Sequence, residues 1–190
     1  MHFLSFISPS LPMNQINACF IGGLLFLQLA GHAASPNDQI VKFCRDNIGK
    51  QVGNGQCTEV ARYALKSAGA KSRQKNPDFP AKGDYVWGKS IACLETTGRG
   101  LKETGNRRDI QPGDIIQFRD VRIKGRKPGG RGYYTKSFKH HTAVVSEVEN
   151  RGRVVKVYHQ NTGGRKLVVE HSLNLDDLKA GWMRFYRALE

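Results

Sequence analysis

Apolar residues recur at helical spacing early in this sequence and form short strand-like runs later, with almost no overlap between the two patterns. Residues 37–47 and 57–68 have apolar positions three and four apart, as amphipathic helices require. The later runs are β-branched or aromatic and are separated by turn residues. Strands are predicted over residues 85–89, 115–118, 142–148, 153–159, 167–171 and 183–186, while residues 91–94 fit either a strand or a helical turn. Helices followed by strands predict an α+β domain with N-terminal helices packed on an antiparallel β-sheet.

The first 34 residues contain no Lys, Arg, Asp or Glu and have an apolar core from Ala18 to Ala30. This core is too short for a comfortable bilayer span, and small residues follow it as they do at a cleavage site. We therefore expect a secretory signal peptide over residues 1–34, with an internal start at Met13 or an uncleaved anchor as alternatives. We then expect residues 35–190 to form one secreted or periplasmic domain, of a size that suits a single core and without stable membrane insertion.

Positive charge dominates the predicted domain. The chain has 30 Lys and Arg against 16 Asp and Glu, a formal net charge of +14, and none of these residues lies in the leader. Such an excess predicts an anionic partner, which outside the cytoplasm means peptidoglycan or another cell-envelope polymer, acidic polysaccharide or released nucleic acid. A solvated basic surface would explain the charge equally well.

Seven Lys or Arg positions fall between residues 122 and 139, in an irregular stretch that ends just before His141. We expect this stretch to be a loop that overhangs a site around His141 and binds an anionic substrate. The proposed contacts are Arg122, Lys124, Arg126, Lys127 and Arg131. The alternative is a mobile, solvated hairpin.

The cysteine count is odd once the leader is removed, because Cys19 leaves with it and three cysteines remain. In an oxidising compartment three cysteines suggest one disulfide and one free thiol. A bond between Cys44 and Cys93 would leave Cys57 reduced. Alternatively all three are thiols, with Cys44 and Cys93 simply buried.

Cys57 stands where a Gly-rich turn, residues 52–56, runs into the second predicted helix. Unpaired backbone N–H groups and the positive end of the helix dipole favour a thiolate at this position, and the thiolate is the nucleophilic form. Gln51 lies one short turn earlier and is a candidate oxyanion donor together with the Cys57 backbone N–H.

Two histidines on predicted strands complete a candidate hydrolase site without a cofactor. On a strand, His141 shares its face with Ala143 and Val145, whereas His140 points the other way, so His141 is the predicted base. A hairpin at residues 150–152 would place His159 and Asn161 beside it, and either could accept the Nδ1 proton of His141. A zinc site is disfavoured because its candidate ligands lack the close spacing of a zinc pair. Those ligands are His140, His141, His159 and His171.

Four segments in this order resemble the CHAP and NlpC/P60 group of papain-like cysteine peptidases, and in detail the Bbc1-type cysteine-proteinase-fold domain. The segments are residues 53–57, 111–118, 141–145 and 159–161. The resemblance implies that Cys57 faces His141, with a third polar residue at His159 as in NlpC/P60 enzymes or at Asn161 as in CHAP domains. It also implies cleavage of amide bonds, usually in cell-wall peptides. Thr58 departs from the group, where an aromatic residue often follows the nucleophile.

These observations predict a secreted, monomeric cysteine amidase or endopeptidase that cleaves peptidoglycan peptides through a thioester on Cys57. The alternative is a catalytically inactive papain-fold module that binds an anionic polymer or protein. Nucleic-acid binding, with Tyr133 and Tyr134 as stacking residues, is a third possibility that the predicted signal peptide disfavours.

Overall fold

The computed structural model describes residues 34–73, 84–127 and 129–190. Two helices come first, α1 (Pro36–Asp46) and α2 (Cys57–Ser67). Seven strands follow: β1 (Lys89–Thr97), β2 (Gly100–Gly105), β3 (Ile115–Arg126), β4 (Tyr133–Glu149), β5 (Val154–His159), β6 (Val169–Asn174) and β7 (Leu178–Arg187). Apart from Ala34, the predicted signal peptide lies outside the described residues. Within the described ranges, no helix is long and apolar enough to cross a membrane.

Helix α1 begins at a capping box. The Ser35 hydroxyl accepts a hydrogen bond from the Asp38 backbone N–H, and the Asp38 carboxylate accepts one from the Ser35 N–H. Pro36 occupies the first turn, where a missing N–H costs nothing. Ile40 and Cys44, four residues apart, are buried on the same side of the helix, which packs beside α2.

The strands form one antiparallel sheet in the order β2-β1-β7-β3-β4-β5-β6. The prediction of an α+β domain with N-terminal helices on an antiparallel sheet is confirmed at this level.

Each face of the sheet has its own apolar cluster, because side chains alternate along every strand. Val144 of β4 and Tyr158 of β5 belong to the cluster shared with both helices. Ala143, Val145 and Val157 belong to the cluster on the opposite face, which we call the inner face. The sheet therefore separates the helices from a second core, which is built mainly from strand residues together with Ile110 and Leu175.

The structure corrects three details of the sequence analysis. Residues 85–88 are not a strand, and Trp87 instead packs under the helices while its indole N–H donates to Gln117 at 3.1 Å. The predicted loop before His141 is an extended hairpin of β3 and β4. Cys44 and Cys93 are free thiols, because Cys44 lies in the helix-side cluster whereas the Cys93 sulfur lies against Arg184 of β7.

Candidate active site

A buried glutamine holds the turn that precedes Cys57. The Gln160 side chain accepts a hydrogen bond from the Val52 N–H at 3.0 Å and donates to the carbonyls of Val52 and Gln56 at 2.9 and 2.8 Å. Gly53 has φ +56°, and a Cβ there would lie 2.3 Å from the Glu59 carboxylate. The turn therefore needs glycine at this position and is fixed to the end of β5.

Cys57 is the first residue of α2, as the sequence predicted, and its side chain is partly buried. Backbone N–H groups of Cys57, Thr58 and Thr142 are directed at the sulfur. Thr142 belongs to β4, and the pairing of β4 with β5 starts only at Val144. Because strand N–H groups lie in the plane of a sheet, the sulfur occupies the edge of β4 next to His141.

Burial raises the pKa of the Cys57 thiol, and this effect outweighs the backbone N–H groups that lower it. The expectation of a resting thiolate is therefore corrected: the helix terminus is present, but the sulfur is too poorly solvated to ionise at neutral pH. A general base must remove the thiol proton when the sulfur attacks.

Three histidine rings form a hydrogen-bonded chain that starts at His141, the residue before Thr142 on β4. His141 of β4 is 5% exposed, and its Nε2 lies 2.9 Å from Nδ1 of His159. His159 is fully buried, and its Nε2 lies 2.8 Å from Nδ1 of His171 on β6. Phe138 stacks on the His141 ring with 5.0 Å between ring centroids. We call these three residues the histidine chain.

The hydrogen bond between His141 and His159 determines which ring nitrogen of His141 can serve as a base. The expectation that His159 takes the Nδ1 proton of His141 is wrong, because Nε2 makes this contact. Nδ1 is thereby the ring nitrogen of His141 that can accept a proton from another group. A neutral base fits this task, since an imidazole that is already protonated cannot accept a proton.

Burial keeps the histidine chain neutral. It lowers the pKa of His141 to about 4 and that of His159 to about 2, with nearby histidines adding to both effects. Burial and the Lys136 ammonium lower the pKa of the partly exposed His171. At pH 7 the site is therefore a neutral thiol beside neutral imidazoles.

The other predicted site residues lie elsewhere. Asn161 is exposed, and its amide donates to the Gln56 side chain at 3.2 Å rather than to His141. Gln51 is exposed, and its amide donates to the Gly53 carbonyl at 3.3 Å. Sequence reasoning did not single out Gln160 or Thr142. The sequence feature that could have pointed to them is their position, since Gln160 directly follows His159 and Thr142 directly follows His141.

The predicted anion contacts lie on the hairpin rather than over the site. Arg122, Lys124 and Arg126 alternate along the exposed face of β3, and the Tyr133 ring lies 5.6 and 5.7 Å from the Lys124 and Arg126 cations. Lys127 and Arg131 are exposed at the turn. Tyr133 is eight residues before His141 along β4, so the turn lies about 26 Å along the strand from that histidine. The expectation of an overhanging loop is wrong because residues 115–126 and 133–149 pair as one long hairpin, with its turn eight strand residues from His141.

A cysteine at a helix N-terminus, placed at the edge of a strand that carries a buried, hydrogen-bonded histidine, is an arrangement typical of the cysteine-proteinase type of fold. The comparison with known families agrees. The chain belongs to the AIM3/BBC1 cysteine proteinase-fold domain family, whose model matches residues 27–190.

A curated relative is Altered inheritance of mitochondria protein 3 from Debaryomyces hansenii, 24% identical over 155 residues. The match covers 80% of this chain but only 16% of that protein, so the chain spans about a sixth of its length. Among solved structures, the crystal structure of Ly7917 is 18% identical with a TM-score of 0.43, covering 79% of this chain and 62% of that one. Ly7917 with the hydrolyzing product of MDP is 17% identical with a TM-score of 0.41 and the same coverage.

The raised pKa of Cys57 predicts slow alkylation at neutral pH. Iodoacetamide should modify Cys57 at a rate that rises about tenfold per pH unit and keeps rising to above pH 9. The measurement is the modification rate by mass spectrometry from pH 6 to 10, with buried Cys44 as the internal reference for unfolding. A rate that is already constant below pH 7 would contradict this expectation.

Proposed function

We propose that this protein is a cysteine amidase or endopeptidase that cleaves amide bonds in cell-wall peptides. The observation that carries the proposal is the placement of the Cys57 sulfur at a helix N-terminus and at the edge of β4, next to His141. The buried histidine chain supports it, because a structural histidine does not need two further imidazoles aligned behind it.

In the proposed reaction, Nδ1 of His141 takes the thiol proton as the Cys57 sulfur attacks the substrate carbonyl carbon. The carbonyl oxygen becomes an oxyanion beside the first turn of α2, where the Cys57 N–H and the helix dipole favour negative charge. Gln51 is the proposed second donor, and its exposed amide must leave the Gly53 carbonyl to serve. His141 then protonates the leaving amine, and a thioester remains on Cys57.

Water completes the cycle. His141, neutral again, takes a proton from the water that attacks the thioester, and the Cys57 thiol is restored as the acid product leaves. Each step keeps His159 in one role: its Nδ1 accepts from Nε2 of His141 and stabilises the imidazolium. No cofactor enters this reaction.

The proposed substrate class is the peptide of peptidoglycan, held as part of an anionic polymer. The net charge of +14 and the exposed cations of the hairpin support this choice. Arg122, Lys124 and Arg126 point to one side of β3, where they can contact a polyanion that extends from the site. Secretion through residues 1–34 and a monomeric state belong to the same proposal.

Trapping of the thioester tests this function. The full chain is mixed with purified muropeptides, quenched in acid within seconds, and digested for mass spectrometry. We expect new free amines in the muropeptides and an acyl group on Cys57, whereas Cys93, a partly buried thiol on β1, stays unmodified. Muropeptides that remain intact at pH 6 to 9, with no acyl group on Cys57, would refute the proposed hydrolase.

A catalytically inactive binding module is the second candidate, favoured by the neutral, poorly solvated thiol. Its ligand site would be a surface cleft of 420 Å³ on the hairpin, lined in part by Arg126, Lys127 and Lys136. Binding of an anionic polymer that weakens steeply with salt, together with no turnover, would favour this candidate.

A further inference from the structure

The histidine chain has a third member that the proposed reaction does not yet use. Two histidines suffice to hold a base and its partner, yet the Nε2 of His159 is 2.8 Å from Nδ1 of His171. Register explains this proximity: His171 pairs with Val157 across β5 and β6, and His159 is two residues further along the same face. The diagonal neighbours of a sheet are within reach for rings of this size.

A neutral histidine chain has two internally consistent proton arrangements. In the first, each ring carries its proton on Nε2, and each bond runs from the Nε2–H of one ring to Nδ1 of the next. In the second, each ring carries its proton on Nδ1 and every bond is reversed. Only the first arrangement leaves Nδ1 of His141 unprotonated, as the proposed base requires.

His171 is the most exposed member of the histidine chain, since His141 and His159 are 5% and 0% exposed. A neutral histidine in water carries its proton mainly on Nε2. His171 can do the same here, with Nε2–H toward solvent and Nδ1 free to accept from His159. Burial and Lys136 of β4 disfavour a charged His171.

We propose that His171 is a positioning residue that selects the proton arrangement of the histidine chain and so keeps Nδ1 of His141 open toward Cys57. The inference deepens the proposed function and rests on it for the role of Cys57. When His141 takes the thiol proton at Nδ1, its Nε2–H remains donated to His159, and His159 remains donated to His171. The resulting His141 imidazolium is stabilised by its charge-assisted hydrogen bond to His159. The hydrogen bond from His159 to His171 strengthens the first one.

Two substitutions at His171 distinguish the loss of its hydrogen-bond acceptor from the loss of its side-chain volume. In His171→Leu the Nε2–H of His159 loses its acceptor, so the protons of the remaining two histidines can adopt the second, reversed arrangement. In His171→Asn the amide oxygen stands near the position of Nδ1 and can accept the same proton. Ser172→Ala, an exposed neighbour on β6, is the matched control.

The experiment reads the proton positions directly, by long-range ¹H–¹⁵N NMR of the histidine rings in the full chain. We expect Nε2–H on His141, His159 and His171 in the unmodified protein, in His171→Asn and in Ser172→Ala. His171→Leu should show Nδ1–H, or a mixture, on His141. Nδ1–H on His171 and His141 of the unmodified protein would overturn the proposal without any variant, as would an unchanged His141 spectrum in folded His171→Leu.

Kinetics on muropeptides give the second readout. His171→Leu should lower kcat at least about tenfold, a small part of what a positioned base contributes, and leave KM unchanged. His171→Asn should stay within about threefold, because the acceptor is restored. If the protein shows the expected proton positions but cleaves no muropeptide, the proposed hydrolase is refuted. The role of His171 in setting the proton positions would still stand.

Discussion

Cys57→Ala is expected to abolish muropeptide cleavage, with kcat lowered by at least about 10⁴-fold, because the proposed thioester forms on the sulfur that this substitution removes. The substitution removes one sulfur atom from a partly buried position at the start of α2, so the helix and the turn before it should stay intact. Cleavage is measured by chromatographic separation of the muropeptide products.

Cys93→Ala is the matched control for this loss. Cys93 is also a partly buried free thiol, but it lies on β1, where its sulfur contacts Arg184. Activity should therefore be unchanged in this variant. Equal losses in both variants would point to damage to the fold, and full activity in Cys57→Ala would remove Cys57 from the mechanism.

Polymer binding separates the two candidate functions in the same variant. Because Arg122, Lys124 and Arg126 pair with β4 residues four to eight positions before His141, about 13 to 26 Å along the strand, Cys57→Ala should bind anionic polymer as the unmodified chain does. Binding without turnover in both proteins would identify a binding module. Turnover that disappears only in Cys57→Ala would identify an enzyme.

Local patterns were enough to predict the helices and the position of Cys57. Apolar spacing defined α2, and the Gly-rich turn placed Cys57 at its first residue. Alternation put His141 on the face of Ala143, and the turn at residues 150–152 brought β5 alongside, which made a contact with His159 predictable.

Details that depend on side-chain rotation and solvation were beyond the sequence. Which nitrogen of His141 meets His159 depends on the ring torsion, and the Cys57 pKa depends on how completely the fold covers the sulfur. His171 joined the chain because β6 extends past residue 171 to Asn174 and pairs Val157 with His171, a register that no local pattern fixes.

The hairpin was missed for a different reason. Val121 and Ile123 alternate with Arg122, Lys124 and Arg126, which is a strand pattern with one apolar and one charged face. The density of Gly and basic residues obscured that alternation and suggested a loop. The consequence is functional, because an extended hairpin carries its cations away from Cys57 rather than over it.

Acid should destabilise the fold well before its carboxylates titrate, because the two buried histidines resist protonation. The pKa values of His141 and His159 are lowered to about 4 and about 2 in the folded protein, from an ordinary value near 6.5. Below about pH 6.5 the unfolded chain binds protons that the folded chain does not, so the free energy of unfolding falls as pH falls. The effect is absent above that pH, where both states are neutral.

The expected loss is about 1.4 kcal/mol per pH unit for each histidine, so about 5 kcal/mol for the pair between pH 6.5 and 4.5. That is a large fraction of the 5 to 15 kcal/mol by which domains are ordinarily stable. Ion-paired Asp176 contributes little in this window, because Arg153 and Arg107 lower its folded pKa and the unfolded carboxyl itself titrates only near pH 4. Its contribution is lost only at lower pH.

Urea unfolding of the full chain at pH 7.5, 6.5, 5.5 and 4.8 measures this dependence. His159→Leu removes one of the two buried imidazoles and should reduce the slope of stability against pH by at most about half, since the lowered pKa values of His140 and His171 add to the same slope. A midpoint that stays constant from pH 7.5 to 4.8 would show that the histidine chain takes up protons in the folded state. The base proposed for Cys57 would then be charged at mildly acidic pH, and the neutral resting site would be wrong.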